Sequence, residues 1–111
     1  FTDKMAAYMR MADVFVTKPG GLSTTEGAVL GVPMVHIMSI PGCETRNMRF
    51  FAQYGMSVPV KRIGMGLPNA TDRLLSRAEA EKVTENQRKY INSAAAADIC
   101  RLAEKLINNG L

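Results

Sequence analysis

The stretch Thr17-Lys18-Pro19-Gly20-Gly21-Leu22-Ser23-Thr24-Thr25-Glu26 holds the residues best suited to chemistry, because it sets two glycines between an apolar, β-rich run and a helical pattern. Backbone N–H groups at a helix start lack intrahelical partners and carry the positive end of the helix dipole, so a phosphate or diphosphate is stabilised there. Gly20 and Gly21 let an anion approach the backbone. The spacing is neither G-x-G-x-x-G nor G-x-x-x-x-G-K-[ST], which argues against a dinucleotide fingerprint and a Walker loop. A tight turn before an ordinary capped helix explains the same residues. Glu26 has two roles open to it: partner of Ser23 in an S-x-x-E capping box, or acceptor for a ribose diol.

A second turn, Pro41-Gly42-Cys43-Glu44-Thr45-Arg46-Asn47, also leads from a strand into a helix. Glu44 and Asn47 stand three apart on one helical face and can offer an acceptor and an amide to sugar hydroxyls. A dipole-complementing acid followed by a surface Asn is the alternative. His36, in mid-strand, reads as a core side chain. Cys43 has no neighbouring His or Lys to activate it. Arg46, Arg49, Lys61 and Arg62 read as a solvated face in preference to a site for anionic lipid.

These turns need elements to hold them. Thr2 or Asp3 can cap a helix carrying Met5, Ala6, Met9 and Ala12. Val14-Phe15-Val16 reads as a buried strand stopped by Lys18-Pro19-Gly20-Gly21. A helix capped by Ser23 and stopped by Gly31 and Pro33 follows, then a strand over 34–38. Strand, helix and strand at this spacing make a right-handed βαβ crossover with parallel strands, so the fold class is α/β. A helix over 44–54 turns Met48, Phe51 and Ala52 inward, and a brief strand spans 57–60. Residues 61–69, with two Gly and a Pro, read as a surface loop. Ser76-x-x-Glu79 opens a polar helix reaching about Ile91. The last helix, 93–109, gathers Ile99, Leu102, Ala103, Leu106 and Ile107 on one face.

Composition sets the bounds. The chain has 111 residues, 47% of them hydrophobic and 22% charged, which describes one globular domain. No apolar run nears the ~18 residues of a membrane span, and no signal-peptide pattern is visible. The two cysteines, Cys43 and Cys100, form no C-x-x-C and only one His is present, so neither a disulfide framework nor a zinc site is expected. A reducing, cytoplasmic setting is the expectation. The net charge of +4 suits an anionic partner without identifying one. The chain opens on Phe1, and its first residues read as a loop entering a helix, so a piece of a longer chain is expected.

Phe1-Thr2-Asp3-Lys4-Met5, Thr17-Lys18-Pro19-Gly20-Gly21-Leu22-Ser23-x-x-Glu26, Gly31-x-Pro33 and Pro41-Gly42-x-Glu44-x-x-Asn47 together resemble the C-terminal domain of glycosyltransferase family 28, of the GT-B fold. The resemblance covers essentially the whole chain. It is nearest to the processive diacylglycerol glucosyltransferases and monogalactosyldiacylglycerol synthases. It implies a partial Rossmann-like domain: a short parallel sheet flanked by helices, with C-terminal helices. It also implies that Phe1, Thr2 and Met5 line a uracil pocket, that Gly20, Gly21 and Ser23 meet UDP phosphates, and that Glu26 holds the ribose. Cys43, Glu44 and Asn47 fall where the family meets the donor sugar, but Cys43 replaces the usual Gln of P-G-Q-E and removes an amide. The implied partners are a UDP-sugar and a membrane lipid acceptor met through an absent domain, with no nucleic acid, cofactor or metal. The implied setting is cytoplasmic, peripheral to the inner membrane face. That absent domain is expected to supply the catalytic base, so this chain alone is expected to be inactive. An exposed sheet edge is expected to make the isolated piece dimerise. Alternatives are a donor-binding subunit of a split transferase, an N-acetylglucosaminyltransferase, and a UDP-sugar epimerase-like nucleotide-binding domain.

Overall fold

The computed structural model describes residues 2–38 and 41–110. Its elements run α1 (Met5–Met11), β1 (Phe15–Thr17), α2 (Gly21–Leu30), β2 (Met34–Ile37), α3 (Cys43–Gln53), β3 (Val58–Val60), α4 (Ile63–Leu75), α5 (Arg77–Tyr90) and α6 (Ala95–Asn108). Among the described residues, three strands form one parallel sheet in the order β1-β2-β3, with Phe15 opposite Met34 and Val35 opposite Val58. Successive residues of a strand point to opposite faces, and in β2 both faces are covered: Met34, Val35 and His36 are each 0% exposed. Val35 and Val60 pack with Ala70 and Leu74 of α4 and Val83 of α5. On the other face Met34 packs with Ala28 of α2, Phe51 of α3 and Met56. The result is an α/β domain with helices on both faces of the sheet.

The stops between elements follow the expected chemistry. Gly31 closes α2 at φ 72, where a side chain would be strained, and its N–H reaches the Ala28 carbonyl at 3.1 Å. Gln87 of α5 is buried and donates to the carbonyls of Val32 at 2.8 Å and Met56 at 3.1 Å, tying α5 to the turns that enter β2 and β3. At Gly27 a Cβ would lie 2.8 Å from Met34 Sδ and 3.2 Å from Phe15 Cδ1, so α2 sits on the sheet at a distance only glycine permits. Gly27→Val is therefore expected to cost about 3 kcal/mol by overpacking and to lower Tm by roughly 10 °C or more. A melting curve matching that of the unsubstituted chain would contradict this packing.

Several expectations are corrected. The first helix is capped by neither Thr2 nor Asp3. Lys4 holds the cap position, with its N–H on Thr2 Oγ1 at 3.1 Å. The Ser23–Glu26 capping box is not formed: Gly20, extended at φ −69 and ψ 148, starts α2 three residues earlier and leaves Ser23 inside the first turn. Ser76 does cap α5 by position, yet its side chain makes no capping bond. Glu79 turns instead to Arg73 Nε at 3.1 Å and Lys82 Nζ at 3.5 Å. The Arg73 hydrogen bond, then the Lys82 charge, hold its carboxyl below the ordinary range.

Residues 61–69 are not a loop: from Ile63 onward they form the start of α4, with Pro68 inside the helix. Gly64, Gly66 and Pro68 disfavour helix locally, and Pro68 forfeits one backbone bond. Leu67, Ala70 and Leu74 outweigh this by packing on the sheet at helical spacing. Gly66 helps, since a Cβ there would stand 3.0 Å from Val60 Cγ1. The final helix forms as expected but none of its residues is buried; Ile99 is 67% and Ile107 72% exposed.

Candidate functional site

Parallel strands put their carboxyl ends on one edge, and ligands of open α/β sheets sit at that edge. There the β1–α2 connection is tightly built. Gly20 N–H bonds the Lys18 carbonyl at 2.8 Å around a fully buried Pro19, and Thr17 Oγ1 donates to the same carbonyl at 3.0 Å. Thr24 N–H takes the Gly20 carbonyl at 3.1 Å. The N–H groups of Gly21, Leu22 and Ser23 ahead of it have no intrahelical acceptor and point off the helix start.

The glycines here are not demanded by the fold. Among the described residues, a Cβ on Gly20 would meet nothing within 4 Å and one on Gly21 only Asn47 Nδ2 at 4.0 Å, and neither glycine has a positive φ. Gly64, at the start of α4, shares this freedom. By contrast Gly31, Gly42, Gly55 and Gly110 have positive φ, and Gly27 and Gly66 are in close contact. Among the described residues, Gly20 and Gly21 thus leave open backbone in front of three N–H groups that have no intrahelical acceptor.

Asn47 reaches this loop from α3: its Nδ2 donates to the Pro19 carbonyl at 3.0 Å. The two turn motifs of the sequence are joined by this bond. Glu44 lies in the first turn of α3 and Cys43 is its exposed first residue. Ser23 and Glu26 are both exposed on α2, one turn apart. Glu26 borders an apolar cavity of about 270 Å³ between α1 and α2, whose walls are Ala6, Met9, Thr25, Val29 and Leu30. Neither Thr2 nor Met5 lines that cavity, and Met5 is 45% exposed. Phe1 lies outside the described residues.

Behind the loop, His36 is fully buried as a core side chain, in keeping with its mid-strand position. Its Nε2 is 3.3 Å from Thr24 Oγ1 and its Nδ1 3.0 Å from Ser57 Oγ, with Phe51 edge-on at 5.6 Å. Burial lowers its pKa from 6.5 to about 4, so the ring is neutral at pH 7. The sequence pattern gives its strand and burial but neither hydroxyl partner.

No family model matches this chain. It is 28% identical over 113 residues to the "Processive diacylglycerol beta-glucosyltransferase" of Bacillus pumilus (strain SAFR-032), covering 98% of this chain and 30% of that protein. The protein of the same name from Bacillus subtilis (strain 168) is 29% identical over 86 residues, covering 78% of this chain and 22% of its own length. The one from Staphylococcus aureus (strain JH9) is 28% identical over 111 residues, covering 92% and 27%. Among solved structures, the "Glycotransferase of kitacinnamycin" superposes with a TM-score of 0.68 at 26% identity, covering 91% of this chain and 28% of that one. The chain is homologous to a C-terminal portion of the processive diacylglycerol β-glucosyltransferases and has the fold of part of a glycosyltransferase. It spans less than a third of the length of these relatives.

Proposed function

We propose that the chain is the donor-binding part of a glycosyltransferase that transfers a hexose from a UDP-hexose to a lipid acceptor of the diacylglycerol type. The observation that carries the reading is the pair Gly20–Gly21, which the fold does not require, standing before the free N–H groups of Gly21, Leu22 and Ser23. The names of the relatives support the hexose and the lipid.

In this reading the diphosphate lies against Gly20, Gly21 and the Ser23 backbone and hydroxyl. Those donors, with the α2 dipole, take up charge that builds on the β-phosphate as the glycosidic bond breaks. Glu26, one turn further on, accepts from the ribose hydroxyls, and the uracil lies toward Thr2 and Met5. Cys43, Glu44 and Asn47 border the hexose. Because the Asn47 amide nitrogen is engaged by Pro19, its first task is to hold the phosphate loop. The acceptor site and the catalytic base belong to the rest of a longer protein, as the length of the relatives supports. Among the described residues no helix is long and apolar enough to cross a membrane. In this reading the full protein meets its lipid at the cytoplasmic membrane face, as the lipid-modifying names of the relatives support.

The reading is tested by calorimetric titration with UDP and 2′-deoxy-UDP, repeated with Glu26→Ala. Loss of a charged hydrogen-bond partner is expected to weaken UDP about tenfold and to abolish the preference over the deoxy analogue. An exposed Glu is expected to leave stability within about 0.5 kcal/mol. Equal UDP affinity in both proteins would contradict the ribose assignment.

A further inference from the structure

We propose that His36 is a positioning residue for the anion-binding end of α2, acting through the Thr24 hydroxyl and anchored from behind by Ser57. The inference rests on the donor-binding reading and deepens it. Ser57, His36 and Thr24 are all buried, 5%, 0% and 1% exposed, and their side chains are linked in series at 3.0 and 3.3 Å. A fully buried imidazole is costly unless both ring nitrogens are paired, and here both are. An apolar residue would fill the same space without that requirement.

The placement of the partners carries the argument. Ser57 leads into β3, His36 lies on the central strand, and Thr24 sits in the first turn of α2. Thr24 is also the residue whose N–H holds the Gly20 carbonyl, at 3.1 Å. The sheet is therefore connected through two side-chain bonds and one backbone bond to the glycine that opens the anion site. A neutral imidazole has one donor and one acceptor, so one hydroxyl must donate to the ring and the other must accept from it. That directional pairing fixes the ring and resists rotation of α2 about its axis. Three N–H groups converge on one anion only if that rotation is set. Asn47, bonded to the Pro19 carbonyl, holds the other side of the same loop. Phe51 packs edge-on against the ring, with centroids 5.6 Å apart.

The test uses this chain with His36→Leu, Thr24→Val, the pair combined, and Thr24→Ser, each titrated with UDP and with uridine. Each of the first two variants is expected to weaken UDP about tenfold, the cost of a misplaced hydrogen-bonding end, and to change uridine less than twofold. The combined variant is expected to be no worse than either alone, because the residues form one chain of contacts. Thr24→Ser, which keeps the hydroxyl, is expected to recover UDP affinity to within about twofold. A residue that only stabilised the core would weaken UDP and uridine alike. That outcome, or unchanged UDP affinity in the folded variants, would overturn the proposal. If His36→Leu does not fold, the Thr24→Val and Thr24→Ser pair decides by the same comparison. Absence of UDP binding by the unsubstituted chain would overturn the donor-binding reading, and this inference with it, before any variant is made.

Discussion

Alanine at both Gly20 and Gly21 is expected to weaken UDP binding about a hundredfold while leaving the fold as stable as before, within about 1 kcal/mol. The two effects separate because neither a close contact nor a positive φ requires glycine at either position. Among the described residues, a Cβ on Gly20 meets nothing within 4 Å, and one on Gly21 meets only the Asn47 amide at 4.0 Å. Alanine inside the first turn gains up to about 1 kcal/mol of helix propensity at position 21, and loses a comparable amount as a poor cap at position 20. The methyl groups do occupy the space in which a phosphate would reach the N–H groups of Gly21, Leu22 and Ser23. Calorimetric melting beside UDP titration checks both halves. Unchanged affinity would remove the reason for placing the diphosphate here.

The second large effect is on acid stability. His36 has a folded-state pKa of about 4 against 6.5, with burial as the cause. Between those values the unfolded chain takes up a proton that the folded chain refuses. Stability is thus fully present above pH 6.5 and falls as the pH drops from 6.5 toward 4, by about 3 kcal/mol from this group alone. Urea unfolding at pH 7 and pH 4.5, run beside His36→Leu, isolates the histidine from the carboxylates that both proteins share. The unsubstituted chain is expected to lose stability more steeply. Parallel losses in the two proteins would contradict the burial of a neutral ring.

Much of the fold is legible in the sequence because local chemistry and packing agree. The apolar runs at β1 and β2, the left-handed stop at Gly31 and the amphipathic spacing of α3 are all visible as patterns. Where they disagree, local reading fails. Gly64, Gly66 and Pro68 look like a loop, yet Leu67, Ala70 and Leu74 bury enough surface against the sheet to keep α4 helical. Ser23 and Glu26 imitate a helix start, whereas Gly20, in extended conformation, begins α2 sooner.

The candidate site divides in the same way. Its two turn motifs can be read from spacing, since each is local. The bond that joins them, Asn47 to Pro19, spans 28 positions, and the partners of His36 lie 12 and 21 positions away. Periodicity gives the face on which a residue lies and not the group it meets there. That is why His36 reads as core while its link to the α2 start becomes visible only in the folded chain.

The most direct measurement is a two-dimensional amide NMR titration of the chain with UDP, with ADP as the comparison. Saturable shifts centred on the backbone amides of Gly20, Gly21, Leu22, Ser23 and Thr24, extending to Glu26 and weaker or absent with ADP, are the expected result. Saturable shifts confined to α5 or α6, or none at all from a chain whose spectrum is that of a folded protein, would contradict the assignment of the donor site.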